Sequence, residues 1–91
     1  MPTKFLLGRI VATPGALEAL SQSRQDAALF LARHQQGDWG SLEEEDKQEN
    51  EFSLLNNLRI LSAYVLNTGT RIWIITEANR NATTILLPSE Y

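Results

Sequence analysis

No cysteine occurs among the 91 residues, which removes disulfide staples, thiolate zinc sites and cysteine nucleophiles together. Long apolar runs are missing as well. "IWII" at Ile72 to Ile75 and "ILL" at Ile85 to Leu87 fall far short of the roughly 20 residues that cross a bilayer, and the first residues form no signal-like segment. The expected compartment is the cytoplasm, with no membrane association. Histidine occurs once, at His34, and nothing in the sequence places beside it the carboxylate and nucleophile that a general base works with. A glycine-rich phosphate loop, a serine elbow and a pair of catalytic carboxylates are all absent. The expectation is a protein that is not an enzyme and has no cofactor.

Positive charge is scarce where negative charge is dense. Between Gly37 and Glu51, in "GDWGSLEEEDKQENE", seven acidic side chains face the single Lys47, a local balance of −6 in a chain of net charge −3. The remaining residues sum to +3, so the molecule reads as a weakly basic body with an acidic arm. Nucleic-acid binding is disfavoured, because it needs a concentrated basic patch. With 43% hydrophobic and 21% charged residues the chain lies well outside the disordered regime. Its length allows one domain, 1–91, since such a chain buries only about 60 to 65% of its unfolded surface and cannot support two cores.

The apolar, β-branched stretch from Lys4 to Ala12 predicts a first strand, with Gly8 as a bulge or close-approach point. Thr13-Pro14 ends it with an N-cap and a proline at the first helical position, predicting a short helix to about Leu20. Ser23 and Asp26 resemble a capping box for a second helix, whose stripe Ala27, Phe30, Leu31 and His34 ends at Gly37. Ser41 and Glu44 suggest a third capped helix, with Leu42, Phe52 and Leu55 inward, ending at Asn56-Asn57. Three β-rich runs follow: 58–66, 70–76 and 82–87. The fold class is therefore α+β: a three-stranded antiparallel meander joined by the N-terminal strand, with three helices packed on one face. In the middle run Trp73 and Ile75 face away from Ile72 and Ile74, so the second sheet face needs cover from the rest of the chain or from a homodimer.

The acidic run admits two readings. Carboxylates in the first turns of a helix are stabilised by its dipole, and consecutive acids on a helix point in different directions, unlike the ligands of a calcium loop. No metal site is therefore expected. As a working surface, the outward carboxylates Glu43, Glu45, Asp46 and Glu49 would dock on a basic protein surface, steered by complementary fields. Trp39, between Asp38 and Gly40, either folds back as a lid on the core or stands out beside those acids as an interaction anchor. At the last hairpin Glu77 and Arg80 form a polar rim able to take a small ligand. His34 is read as a packing residue or as a partly charged imidazole at a helix C-terminus.

The segments "GDWG" (37–40), "EED" (44–46), "RILSAY" (59–64), "IWIITEANR" (72–80) and "TTILLPSEY" (83–91) together resemble a family of small proteins labelled only as plasmid-related, found in bacterial plasmids, phages and integrative elements. The likeness runs from about Ile10 to Tyr91. It implies a mobile-element setting and no particular chemistry. The functional expectation is thus an accessory, non-enzymatic protein that binds an unidentified protein partner through the acidic arm as a charge mimic. The alternative is a small ligand-binding domain or enzyme built on the last hairpin.

Overall fold

The computed structural model describes residues 3–91. Strand β1 (Arg9–Ala12) leads into helices α1 (Pro14–Ser23), α2 (Ala27–Gln35) and α3 (Glu44–Asn56). Strands β2 (Ile60–Val65), β3 (Arg71–Thr76) and β4 (Ala82–Leu86) follow, and a 3-10 turn spans Pro88–Glu90. The class is α+β, and β2, β3 and β4 form the antiparallel meander. The N-terminal strand joins it at the far side, parallel to β4, giving the order β1-β4-β3-β2. It is shorter than the apolar run suggested. Lys4 to Gly8 lie outside it, and Gly8 adopts a left-handed φ of 66° where a Cβ would strike the Asn81 backbone.

Thr13 caps α1 by accepting from the Ala16 N–H, with Pro14 at the first helical position. The helix runs on to Ser23, whose hydroxyl donates to the Leu20 carbonyl. Ser23 therefore has no part in a capping box. Asp26 alone caps α2, accepting from the Ala28 N–H at 2.9 Å. The α2 stripe packs inward as its spacing implied, with Phe30 and His34 buried and Ala27 and Leu31 half-buried.

The main core lies between the helices and the first sheet face, where Ala16, Ala19, Leu20 and Phe30 meet Tyr64, Ile72, Ile74 and Ile85. Fully burying side chains of this size stabilises the fold by about 1.5 to 3 kcal/mol each for the larger aliphatic and aromatic ones. A second cluster joins Phe5, Trp39 and Ile60, with Leu7, Leu42 and Leu54 packed against it.

Helix α3 differs most from expectation. Ser41 is not its cap: its N–H and its hydroxyl both donate to the Ala63 carbonyl, at 2.8 and 3.4 Å. Glu43 stands at the N-cap without a side-chain bond. Phe52 and Leu55, expected inward, are 54% and 85% exposed. The buried positions are Asn50 and Ser53, with Leu54 half-buried. The reason lies at the outer edge of β2. There the Asn50 amide donates to the Leu61 carbonyl at 2.7 Å and accepts from the Leu61 N–H at 3.1 Å. Two residues along, Trp39 and Ser41 pair with Ala63 in the same way. Gly40 makes this approach possible, since its φ is 77° and a Cβ would collide with the Ala63 carbonyl. The edge strand is thus closed by a strap and one amide, which an inward Phe52 or Leu55 could not have done. Asn57 ends the helix in a left-handed conformation, φ 52°, as expected for an asparagine stop.

Candidate functional site

Behind β2, on the second sheet face, a groove of about 710 Å³ opens between α3 and the strands. Helix α3 supplies one wall with Asp46, Glu49, Asn50 and Ser53, while Leu61 and Trp73 come from the sheet. Leu42, Leu58 and Ala78 add apolar surface, and Arg59 completes the lining. Asp46, Glu49 and Ser53 share a helix flank because residues three and four apart are neighbours on a helix. The groove therefore has an apolar sheet side and an acidic helix side.

Two acids and one base line it, and neither Asp46 nor Glu49 is in a salt bridge. Among the described residues the one salt bridge is Arg33 to Asp38, 2.7 Å, far from Asp46 and Glu49 in sequence. That pairing holds the Asp38 carboxyl below its usual range, the hydrogen bond from Arg33 being the main cause. Arg59, the one cation of the lining, is turned to Tyr91: its guanidinium carbon lies 5.5 Å from the ring centroid and it donates to the Tyr91 hydroxyl.

The expected site residues divide. Asp46 and Glu49 line the groove; Glu43 and Glu45 are exposed outside it. Trp39 is 4% exposed, stacks on Phe5 at 6.3 Å and donates its Nε1–H to Glu51 at 2.7 Å. It folds back onto the core, so it is withdrawn from the exposed set beside the acids. Glu77 is exposed, but Arg80 is no open rim group. Its guanidinium donates to the carbonyls of Leu58, Ser53, Glu77 and Ala78 and lies 5.8 Å from the Phe5 ring centroid. With those donors engaged inside the chain, the last hairpin offers no free cation to a ligand. Arg80 instead ties the end of α3 to the β3–β4 loop.

Away from the groove, part of the second sheet face is covered by this chain itself. Ala63, Ile75 and Leu86 are buried, and Trp73 is half-buried with Tyr91 edge-on to it at 5.7 Å and 70°. Glu90 anchors the covering segment by accepting from the Thr13 hydroxyl, the Gly15 N–H and the Leu87 N–H. These bonds, the Thr13 one first, hold its carboxyl below the usual range. Ile75 is thus buried within the chain, while Trp73 keeps part of its surface exposed.

His34 belongs to a buried polar chain rather than to a site. Its Nδ1 meets Ser62 Oγ at 2.6 Å and its Nε2 meets Thr76 Oγ1 at 2.9 Å, while Thr76 meets Thr83 at 2.7 Å. Thr83 donates to the Leu7 carbonyl at 2.8 Å, so the proton between the threonines comes from Thr76. Thr76 can then only accept from His34, which fixes the Nε2–H tautomer and leaves Nδ1 to accept from Ser62. Burial pushes the imidazole down to about 3. Of the two readings, packing residue or partly charged helix-end imidazole, the first holds: His34 is a neutral core histidine, fully buried.

Sequence reasoning missed Ser53, Leu58, Arg59 and Leu61 as groove residues and set Trp73 on a face to be covered by the rest of the chain or by a homodimer. One signal was present: Asp46, Asn50 and Ser53 recur at spacings of four and three, a polar stripe on one helix flank. No cluster of residues suited to a metal occurs among the described residues, and no helix there is long and apolar enough to cross a membrane. No protein-family model, no curated protein and no solved structure matches the chain.

Proposed function

We propose that this protein is a non-enzymatic interaction module that docks a basic segment of a partner protein in the α3 groove. The observation that carries the reading is the pair of carboxylates outside any salt bridge, Asp46 and Glu49, lining one groove with the apolar surface of Leu61 and Trp73. Apolar contact supplies affinity and the acids supply steering and orientation. Glu43 and Glu45 extend the negative field beyond the groove, as a mimic of phosphate charge would require. The resemblance to plasmid-related proteins makes an accessory role in a mobile element the natural setting, in the cytoplasm, against a host or element-encoded protein.

Affinity capture from a bacterial lysate tests this with Asp46→Lys/Glu49→Lys beside Glu43→Lys/Glu45→Lys. A partner lost with the first pair and largely kept with the second supports groove docking. Retention of every partner by both variants sinks it. The groove volume also falls within the roughly 300 to 1,000 Å³ of small-molecule sites, which favours a second reading as a ligand-binding domain at this place rather than at the last hairpin. A metabolite that raises the melting temperature of the wild type but not of a Trp73→Ala variant would support that reading instead.

A further inference from the structure

Three hydrogen-bonding groups line the α3 flank of the groove: Asp46, Glu49 and Ser53. Ser53 is only 7% exposed. Its carbonyl accepts from Arg80 and from the Leu58 N–H, but among the described residues its hydroxyl has no hydrogen-bond partner. Among those residues no sealed polar side-chain atom lacks a partner, so the hydroxyl of this groove-lining residue keeps some access to solvent. An unpartnered hydroxyl on a largely buried residue, on one helix flank with two carboxylates that are in no salt bridge, asks for a donor-rich cation. The indole of Trp73 and the side chain of Leu61 ask for something flat or aliphatic.

Both demands are met by one group. We infer that the groove receives a single arginine side chain of the partner, its stem and guanidinium plane against Trp73 and Leu61, its N–H donors on Glu49 and Ser53, one turn apart, and its charge in the field of Asp46. This rests on the reading of the groove as a docking site for a basic segment. A guanidinium presents five donors in a planar fork and stacks on an aromatic face, whereas an ammonium is a compact, strongly hydrated point charge with three donors. Arg59 does not fill the place, because its guanidinium is held by Tyr91.

The test is an NMR titration of the whole chain with acetyl-arginine methylamide, with the lysine and citrulline counterparts as controls. The arginine probe is expected to give saturable shifts at the Trp73 indole N–H and the Ser53 amide, and none at the buried Trp39 indole. Lysine should bind about tenfold more weakly, and citrulline, an uncharged near-isostere, should give no saturable shift. Asp46→Asn/Glu49→Gln, two exposed positions whose exchange keeps the fold, should weaken the arginine probe at least about tenfold. Equal binding of citrulline, or arginine shifts that avoid Trp73, would overturn the inference. A basic peptide that moves Trp73 while the arginine probe does not would remove the arginine assignment and leave groove docking intact; if neither moves Trp73, both fall.

Discussion

His34 couples folding to pH through a single ring. In the unfolded chain its imidazole takes up a proton near pH 6.5, whereas in the fold burial keeps it neutral down to about 3. Between those values the unfolded state binds more protons, so stability falls as the pH drops through the window, by about 1.4 kcal/mol per pH unit once well below 6.5. Denaturant titrations at pH 7 and pH 5 should therefore differ by about 2 kcal/mol from this residue, and the difference should vanish in His34→Phe. Asp38 and Glu90, whose carboxyls lie below their ordinary 3.8 and 4.5, add acid sensitivity within the lower part of that window, under pH 5, and so leave the comparison of pH 7 with pH 5 to His34. Equal slopes for the wild type and the variant would show that the ring is not held neutral.

In helix α3 stability rests on small polar side chains while the large apolar ones face solvent. Asn50 satisfies two backbone groups of Leu61, and leaving a buried pair of this kind unmet costs about 1 to 3 kcal/mol. Asn50→Ala should lower the unfolding free energy by that amount, read from urea melts, with no repair by Asn50→Leu. On the opposite face, Phe52→Ser and Leu55→Ser should stay within about 0.5 kcal/mol of wild type, because both side chains are exposed. Leu54→Ala, which takes away a contact with the Phe5, Trp39 and Ile60 cluster, should cost about 1 to 2 kcal/mol. Had the helix buried Phe52 and Leu55, as their size suggested, that order would be reversed.

At the level of the whole molecule, the charge is segregated: −6 on residues 37 to 51 and +3 on the rest. Binding of a basic partner should weaken steeply with ionic strength, since the Debye length is about 10 Å at 0.1 M salt and Glu43, Glu45, Asp46 and Glu49 are exposed. The association rate should carry most of the salt effect and most of the loss in Glu43→Gln/Glu45→Gln, whose charges lie outside the groove. The dissociation rate should carry the loss in Trp73→Ala, which removes contact area. Stopped-flow measurements at two salt concentrations separate the two, and a salt-independent association rate would count against charge steering.

Local chemistry was legible in the sequence because its causes lie within a few residues. Thr13-Pro14 starts a helix, Asn57 stops one, the α2 stripe buries Phe30 and His34, and the alternation in 58–87 makes a meander. What tertiary structure decided were the relations between distant segments. The parallel pairing of β1 with β4 joins residues more than 70 positions apart, and no local pattern encodes it. The inward face of α3 was set by the unpaired edge of β2, which required an amide at Asn50 and overrode the size of Phe52 and Leu55. Trp39 had two local options, and its stack on Phe5 with the bond to Glu51 chose between them. The acidic run specified negative charge by composition alone, but only the fold set Asp46 and Glu49 beside Trp73 and left Glu43 and Glu45 outside, because a groove is made by surfaces that meet.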